Sequence, residues 1–202
     1  MRHLNGHILC AIDTETTGLD PVVHEMIEIA IVPLGPDLKP RKDIFPFNFK
    51  IRPENVNVID KEALSVNKIT LEDLYTNGID PIKASDLFET WFDNLKLPFG
   101  KKIVPLGHNW SFDAKFIEKW LGLTAFNCFF DYHYRDSSAI ALFLNDWAEF
   151  HNERHPFPKV KLSYLCSQLK VENQRAHRAL DDAIATAECY RRLVLQAPYM
   201  SV

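Results

Sequence analysis

Apolar positions along this chain recur first with the period of a strand and later with that of a helix. Ile8 to Thr14 is an apolar run that reads as a strand, and Thr17-Gly18-Leu19-Asp20-Pro21 reads as the turn that closes it. Ile27 to Leu34 predicts a second strand. Phe45, Phe47, Phe49 and Ile51 alternate with other residues and predict a third strand, half buried. Short connections between these runs favour an antiparallel meander. Asp80-Pro81 is an N-cap followed by a proline at the first helical position, and after it Ala84, Leu87, Phe88, Trp91, Phe92 and Leu95 fall at helical spacing. Ile103 to Leu106 predicts a short strand. Phe112, Phe116, Ile117, Trp120 and Leu121 form a helix stripe that stops at Gly122, and Cys128 to Phe130 predicts one more short strand. Helices are expected over Ser137 to Phe150 and Leu162 to Leu169. A last one spans Ala179 to Leu195, with Ala179, Ala183, Ala187, Tyr190 and Val194 on one face. Strands followed by strands alternating with helices imply an α/β fold, a mixed sheet covered by helices.

Three stretches break this pattern by placing an acid at the edge of an apolar element. They are Asp13-Thr14-Glu15-Thr16-Thr17-Gly18-Leu19, Gly107-His108-Asn109-Trp110-Ser111-Phe112-Asp113 and Ala176-His177-Arg178-Ala179-Leu180-Asp181-Asp182-Ala183. Side chains two apart on a strand point the same way, so Asp13 and Glu15 project together. Two adjacent carboxylates repel each other, and ionising both is unfavourable without a compensating positive charge. If Asp13, Glu15, Asp113 and Asp182 converge, about four negative charges meet, which two divalent cations would balance. An all-oxygen donor set suits Mg²⁺ or Mn²⁺ rather than Zn²⁺. Two such ions roughly 3.5–4 Å apart can clamp a phosphodiester. A neutral imidazole, here His177, suits removal of a proton from an attacking water. Asp181 and Asp182 lie about 130° to either side of the last helix's apolar face, so amphipathicity does not choose between them. His177 and Asp182 are five apart and would not share a face of one helix, which places His177 on the loop entering it.

Composition fits this chemistry. The chain has 202 residues, 47% apolar and 25% charged, the mix of a globular protein with a sizeable core, and a single domain over 1–202 is expected. A net charge of -4 argues against a general nucleic-acid coat but not against a nuclease, whose acidic metal site offsets a basic groove. No run of about eighteen apolar residues predicts a membrane span. The first residues, MRHLNGHILC, carry neither an apolar signal core nor a small-residue cleavage site. Cys10, Cys128, Cys166 and Cys189 are scattered, as expected of free thiols in a cytoplasmic protein.

The three stretches resemble the motifs of the DEDD superfamily of 3′→5′ exonucleases in its histidine-type, DnaQ-like branch, which includes polymerase proofreading subunits and ribonuclease T. The D-x-E-T-T-G motif matches Asp13, Glu15 and Thr16-Thr17-Gly18. H-N-x-x-F-D matches His108, Asn109, Phe112 and Asp113, and H-x-A-x-x-D-A matches His177, Ala179, Asp182 and Ala183. The resemblance spans about residues 7 to 195, and the register of its third motif selects Asp182. It implies a ribonuclease-H-like fold with antiparallel first strands and parallel later ones. It also implies two metals: Asp13 bridges them, Glu15 and Asp182 serve the hydrolytic one, Asp113 supports the other, and His177 is the general base. It further implies that Thr16, Thr17 and Leu19 meet the 3′-terminal nucleotide, Leu19 as a sequence-tolerant wedge beside the last base. Asn67-Lys68 stands where many relatives carry His-Gly, in a region that helps form the terminal nucleotide's pocket. Many proofreading relatives also carry a long C-terminal tail, and the end at Val202 suggests a self-standing nuclease.

The expected activity is hydrolysis of phosphodiester bonds at single-stranded 3′ ends, DNA before RNA, releasing nucleoside 5′-monophosphates. RNA 3′ trimming is the alternative enzyme, and a non-catalytic nucleic-acid or polymerase accessory module is the alternative of another class. A polymerase or replication partner is compatible with the resemblance. Asn109 is a turn residue orienting Asp113 or a substrate contact, with equal weight. Arg175 and Arg178 are read as solvated, though their place beside His177 suits a phosphate. His151-Asn152-Glu153-Arg154-His155 lacks the zinc-protease spacing and reads as a fraying helix end. The aromatics of Phe129-Phe130-Asp131-Tyr132-His133-Tyr134 read as packing, and Asp136 as an N-cap.

Overall fold

The computed structural model of the chain describes residues 2–173 and 175–196. Five strands, β1 (Ile8–Thr16), β2 (Met26–Pro33), β3 (Phe47–Lys50), β4 (Ile103–Gly107) and β5 (Arg135–Asp136), form one sheet in the order β3-β2-β1-β4-β5. β1 pairs antiparallel with β2 and β2 with β3, while β1–β4 and β4–β5 are parallel. This is the mixed sheet expected, with the antiparallel part first. The helices are α1 (Lys61–Asn67), α2 (Leu71–Asn77), α3 (Pro81–Asn94), α4 (Trp110–Leu121), α5 (Leu123–Phe129), α6 (Ser137–Phe150), α7 (Leu162–Leu169) and α8 (Ala179–Gln196).

β1 is central and covered on both faces, so its apolar run hardly alternates. Ile8, Cys10 and Ile12 pack with Ile29, Ile31 and Phe47 beneath Ala84 and Phe88 of α3 and Phe116 and Ile117 of α4. Leu9 and Ala11 face the other way, with Ala30, Val32, Val104 and Leu106, onto Ala179, Ala183, Ala187 and Tyr190 of α8. The small residues of α8 let it lie close to the sheet. Its far side is held by α6 and α7 through Ala141, Leu144, Leu165, Cys166 and Leu169. Burying each of Phe47, Phe88 and Phe116 contributes about 1.5–3 kcal/mol, so the layer of α3 and α4 is firmly packed against β1.

Four details differ from the sequence expectations. Cys128 and Phe129 end helix α5, and Phe130 makes only an isolated bridge to Ile103; the last strand is Arg135–Asp136. A three-residue apolar run does not distinguish strand from helix, and Phe126, Phe129 and Phe130 lie at helical spacing against Phe88, Phe92 and Trp110. The third strand starts at Phe47, leaving Phe45 90% exposed, because Pro46 has no N–H for the ladder and the Phe45 carbonyl accepts from Trp91 Nε1 instead. The buried stripe of α8 passes through Leu193, not Val194, which is 41% exposed. Of the aromatic stretch, Phe130 is buried and Phe129 packs on the core, but Tyr132 and Tyr134 are exposed. Asp136 does cap α6, accepting from Ser138 N–H, and it also accepts from the N–H groups of Asn109 and Trp110 at the start of α4. His151 sits at the C-terminal end of α6, as expected of a helix end. All four cysteines are free, and no helix among the described residues is long and apolar enough to cross a membrane.

Candidate active site

β1 runs on to Thr16, so Asp13 and Glu15 stand inside its C-terminal half, on the face that carries Leu9 and Ala11 toward α8. Asp182 is in the first turn of α8 and points back at them. Glu15, His177 and Asp182 each bring a ligand atom to within 4.8 Å of the others. Both carboxylates are buried, whereas His177 is exposed on the loop before α8, as the five-residue spacing required. Thr14 faces the opposite layer, toward α4. Its N–H and Oγ1 both donate to Asp113 Oδ1, at 2.9 and 2.7 Å, which ties Asp113 to the strand beside Asp13. Asp182 is held on both oxygens, by Asn173 Nδ2 and by the His177 N–H at 2.9 Å. Asp181 turns away to Arg175 Nε, so the two neighbouring acids of α8 have separate surroundings.

The strand-end segment is firmly held. Thr17 N–H donates to the Glu25 carbonyl and Glu25 N–H to Thr17 Oγ1, at 2.8 and 2.9 Å. Thr16 Oγ1 donates to the Gly18 carbonyl, and Asn67 Nδ2 of α1 donates to the Thr16 carbonyl at 2.9 Å. A Cβ at Gly18 would lie 2.2 Å from the His24 ring, so a larger residue here would have to displace that ring. The hydroxyls of Thr16 and Thr17 are buried in these bonds, and Leu19 projects from them 80% exposed. Lys68, where relatives are expected to carry glycine, adopts φ +54° at the end of α1, a left-handed conformation that costs a non-glycine residue about 1 kcal/mol. His108 Nδ1 lies 2.8 Å from Ser137 Oγ, and Asn109 is exposed with φ +65°.

The electrostatics are those of crowded, buried carboxylates. Burial, then the nearby charges of Asp113, Glu15, Asp182 and Glu28, push Asp13 well above the usual carboxylate range. Burial and the same kind of repulsion, from Asp182, Glu28 and Asp113, raise Glu15 to about 8. Burial raises Asp113 to about 7, against the two hydrogen bonds from Thr14. No hydrogen bond from the described residues reaches the carboxylate oxygens of Asp13 or Glu15. An oxygen donor set of this kind fits hard divalent cations, whose charge would return these groups to the ionised form. A pH dependence follows. Acids with raised folded pKa values contribute stability that is fully present below their unfolded values and is lost as pH rises through the folded ones. The metal-free protein should therefore lose roughly 2–5 kcal/mol between pH 5 and pH 8, and Mn²⁺ should restore it at pH 8. Thermal unfolding in EDTA and in Mn²⁺ across that range checks this; an EDTA profile flat from pH 5 to 8 would contradict it.

The RNase T exonuclease family model matches residues 10–190, a span that contains all five of these side chains. The chain belongs to the RNase T exonuclease family. Similar curated proteins include the 3′-5′ DNA exonuclease Cap18 of Escherichia coli, 26% identical over 91% of this chain and 90% of that one. DNA polymerase III subunit epsilon of Rickettsia conorii is 31% identical over 91% of this chain and 72% of that one, and ribonuclease T of Wigglesworthia glossinidia brevipalpis is 28% identical over 94% and 85%. Among solved structures, zinc-bound E. coli exonuclease I with single-stranded DNA superposes with a TM-score of 0.73 at 16% identity over 95% of this chain; the chain spans 41% of that larger protein. The exonuclease has the ribonuclease-H-like fold of these neighbours and is a hydrolytic nuclease by family.

Several side chains around the site of this exonuclease escape the motif reading. Thr14 and Asn173 orient Asp113 and Asp182. Arg178, read from sequence as solvated or phosphate-facing, forms a two-pronged ion pair with buried Glu28 of β2. Glu28 had a legible signal: a lone acid in the apolar run Met26-Ile27-Glu28-Ile29-Ala30-Ile31 must find a partner.

Proposed function

We propose that this exonuclease is a metal-dependent 3′→5′ enzyme that acts on single-stranded 3′ ends, prefers DNA, and releases nucleoside 5′-monophosphates. The convergence of Glu15, His177 and Asp182 within 4.8 Å, beside Asp13, carries this reading. Asp13, Glu15, Asp113 and Asp182 would hold two Mg²⁺ or Mn²⁺ ions. Bound there, the ions would balance the charge of the carboxylates and acidify the attacking water. His177, exposed at the rim of the cage, takes the proton from that water as the bond from phosphorus to the 3′ oxygen breaks. Leu19, held out by the Thr16–Thr17 turn, lies against the terminal base, and Asn109 at the head of α4 contacts the strand. The names of Cap18 and of exonuclease I with its single-stranded DNA support DNA as substrate, and the epsilon subunits support a replicative polymerase as partner. Ribonuclease T is the observation that favours the second reading, RNA 3′ trimming.

Oligomers of DNA and RNA labelled at the 5′ end, single- and double-stranded, with Mg²⁺, Mn²⁺ or EDTA, test direction, sugar preference and metal need together. The expected result is a descending ladder from single-stranded DNA that EDTA abolishes. A mononucleotide released directly from the labelled end, or cleavage insensitive to EDTA, would overturn the reading, and a faster ladder from RNA would establish the second one.

A further inference from the structure

We propose that Glu28 and Arg178 are positioning residues of this exonuclease, pinning the loop that carries His177 onto β2 beside Glu15. The inference rests on the exonuclease reading above. Glu28 is directly opposite Glu15 in the β1–β2 register. It is 2% exposed, in register with Glu15 on one side and Lys50 of β3 on the other; a bare carboxylate buried there is costly, and it gathers three donors. Arg178 Nε and Nη2 reach its two oxygens at 3.1 and 2.8 Å, and the Ala179 N–H adds a third contact at 3.3 Å. This parallel fork fixes the guanidinium in orientation as well as position, which a lysine would not do.

The pin sits where the catalytic loop meets its helix. The Arg178 carbonyl accepts the first helical bond of α8, from Asp182 N–H at 3.0 Å. Arg178 is thus the hinge between His177 on one side and Asp182 on the other. His177 itself adopts φ +67°, a left-handed backbone that a non-glycine residue keeps only when its surroundings hold it there, at about 1–3 kcal/mol. Two restraints do so. One is its N–H bond to Asp182 Oδ2, which belongs to the cage itself. The other is the Glu28–Arg178 pair, which ties the loop to the strand next to β1. Both prongs of the Arg178 fork go to Glu28, so its best phosphate-binding geometry is already used. A buried ion pair is weak evidence for stability, and replacing both partners with apolar groups is often neutral. Placement of the loop is the contribution that remains.

The test compares Arg178→Met, Glu28→Gln and the double variant Glu28→Leu/Arg178→Met. The double variant leaves no unpaired buried charge and so guards against simple misfolding. Kinetics on single-stranded DNA are read together with amide hydrogen exchange in the metal-free protein. We expect kcat to fall 10–100-fold, the range for residues that orient catalytic groups, with KM within about twofold. We also expect protection of the His177 and Ala179 amides to fall while that of β1 and β4 stays. Wild-type kcat in the double variant would overturn the proposal. So would a rise in KM with kcat retained, the signature of a phosphate contact, or an equal loss of protection throughout the sheet, the signature of a purely structural pair. Absence of hydrolysis by the wild-type protein would instead reject the exonuclease reading, and the exchange comparison would still decide the pin.

Discussion

Asp13→Asn should lower hydrolysis by more than about 10³-fold, the loss of several kcal/mol of metal-assisted stabilisation, while making the metal-free protein more stable at pH 8. The two effects have opposite signs for one reason. Asp13 lies among Glu15, Asp113, Asp182 and Glu28, and each of these charges disfavours its own. With metal bound, that crowding would give affinity; without metal it is repulsion, and an amide of the same shape removes it. Asp182→Asn separates this effect from general damage. Asp182 accepts from both Asn173 Nδ2 and the His177 N–H. An amide nitrogen at either oxygen would meet a donor, so this variant should lose activity and gain no stability. Turnover in Mn²⁺, together with thermal unfolding in EDTA at pH 8, gives both readouts. Near-normal turnover in either variant would reject the metal assignment. A metal-free Asp13→Asn protein less stable than wild type would reject the electrostatic account of the cage.

What the sequence showed of this site followed from short-range rules. The alternation of a strand puts Asp13 and Glu15 on one face whatever the rest of the chain does, and β1 has them so. The five-residue gap placed His177 outside α8, where the structure has it. Most contacts that hold these acids were not legible, because those to Asp113 and Glu28 join segments far apart in sequence and those to Asp182 depend on the fold of the loop before α8. Thr14 and Asp113 are separated by 99 residues, and Glu28 and Arg178 by 150. The choice between Asp181 and Asp182 shows the limit most clearly. Both flank the apolar face of α8 symmetrically, and what separates them is Arg175 on one side and the Asn173–His177 loop on the other. Helices α1 and α2 were missed for a related reason. Each has only seven residues and little amphipathic pattern, and each is set by a side-chain cap, Asp60 or Thr70. They bear on the proposed function, since Asn67 of α1 holds the Thr16 carbonyl in the turn from which Leu19 projects.

His177→Ala should lower kcat by roughly 10²–10⁴-fold, the usual contribution of a general base. The geometry allows two roles for this side chain, because its ring lies within 4.8 Å of ligand oxygens on both Glu15 and Asp182. Metal affinity separates them. A base takes a proton and holds no ion, so Mn²⁺ binding measured by calorimetry should stay within a few-fold of wild type in His177→Ala, and added imidazole should restore part of the rate. A ligand would show the reverse: weaker Mn²⁺ binding, with activity recovered by raising Mn²⁺ rather than by imidazole. His177→Asn adds a control on the backbone. Asparagine tolerates the left-handed conformation at φ +67° but is not a base. It should therefore keep the loop in place, with the Asp182 bond intact, and still lose the rate. If His177→Asn were active and His177→Ala inactive, the residue would serve the loop's conformation and not the proton. The exposed position of the ring favours the base, because the proton it takes must then leave to solvent before the next nucleotide is cut.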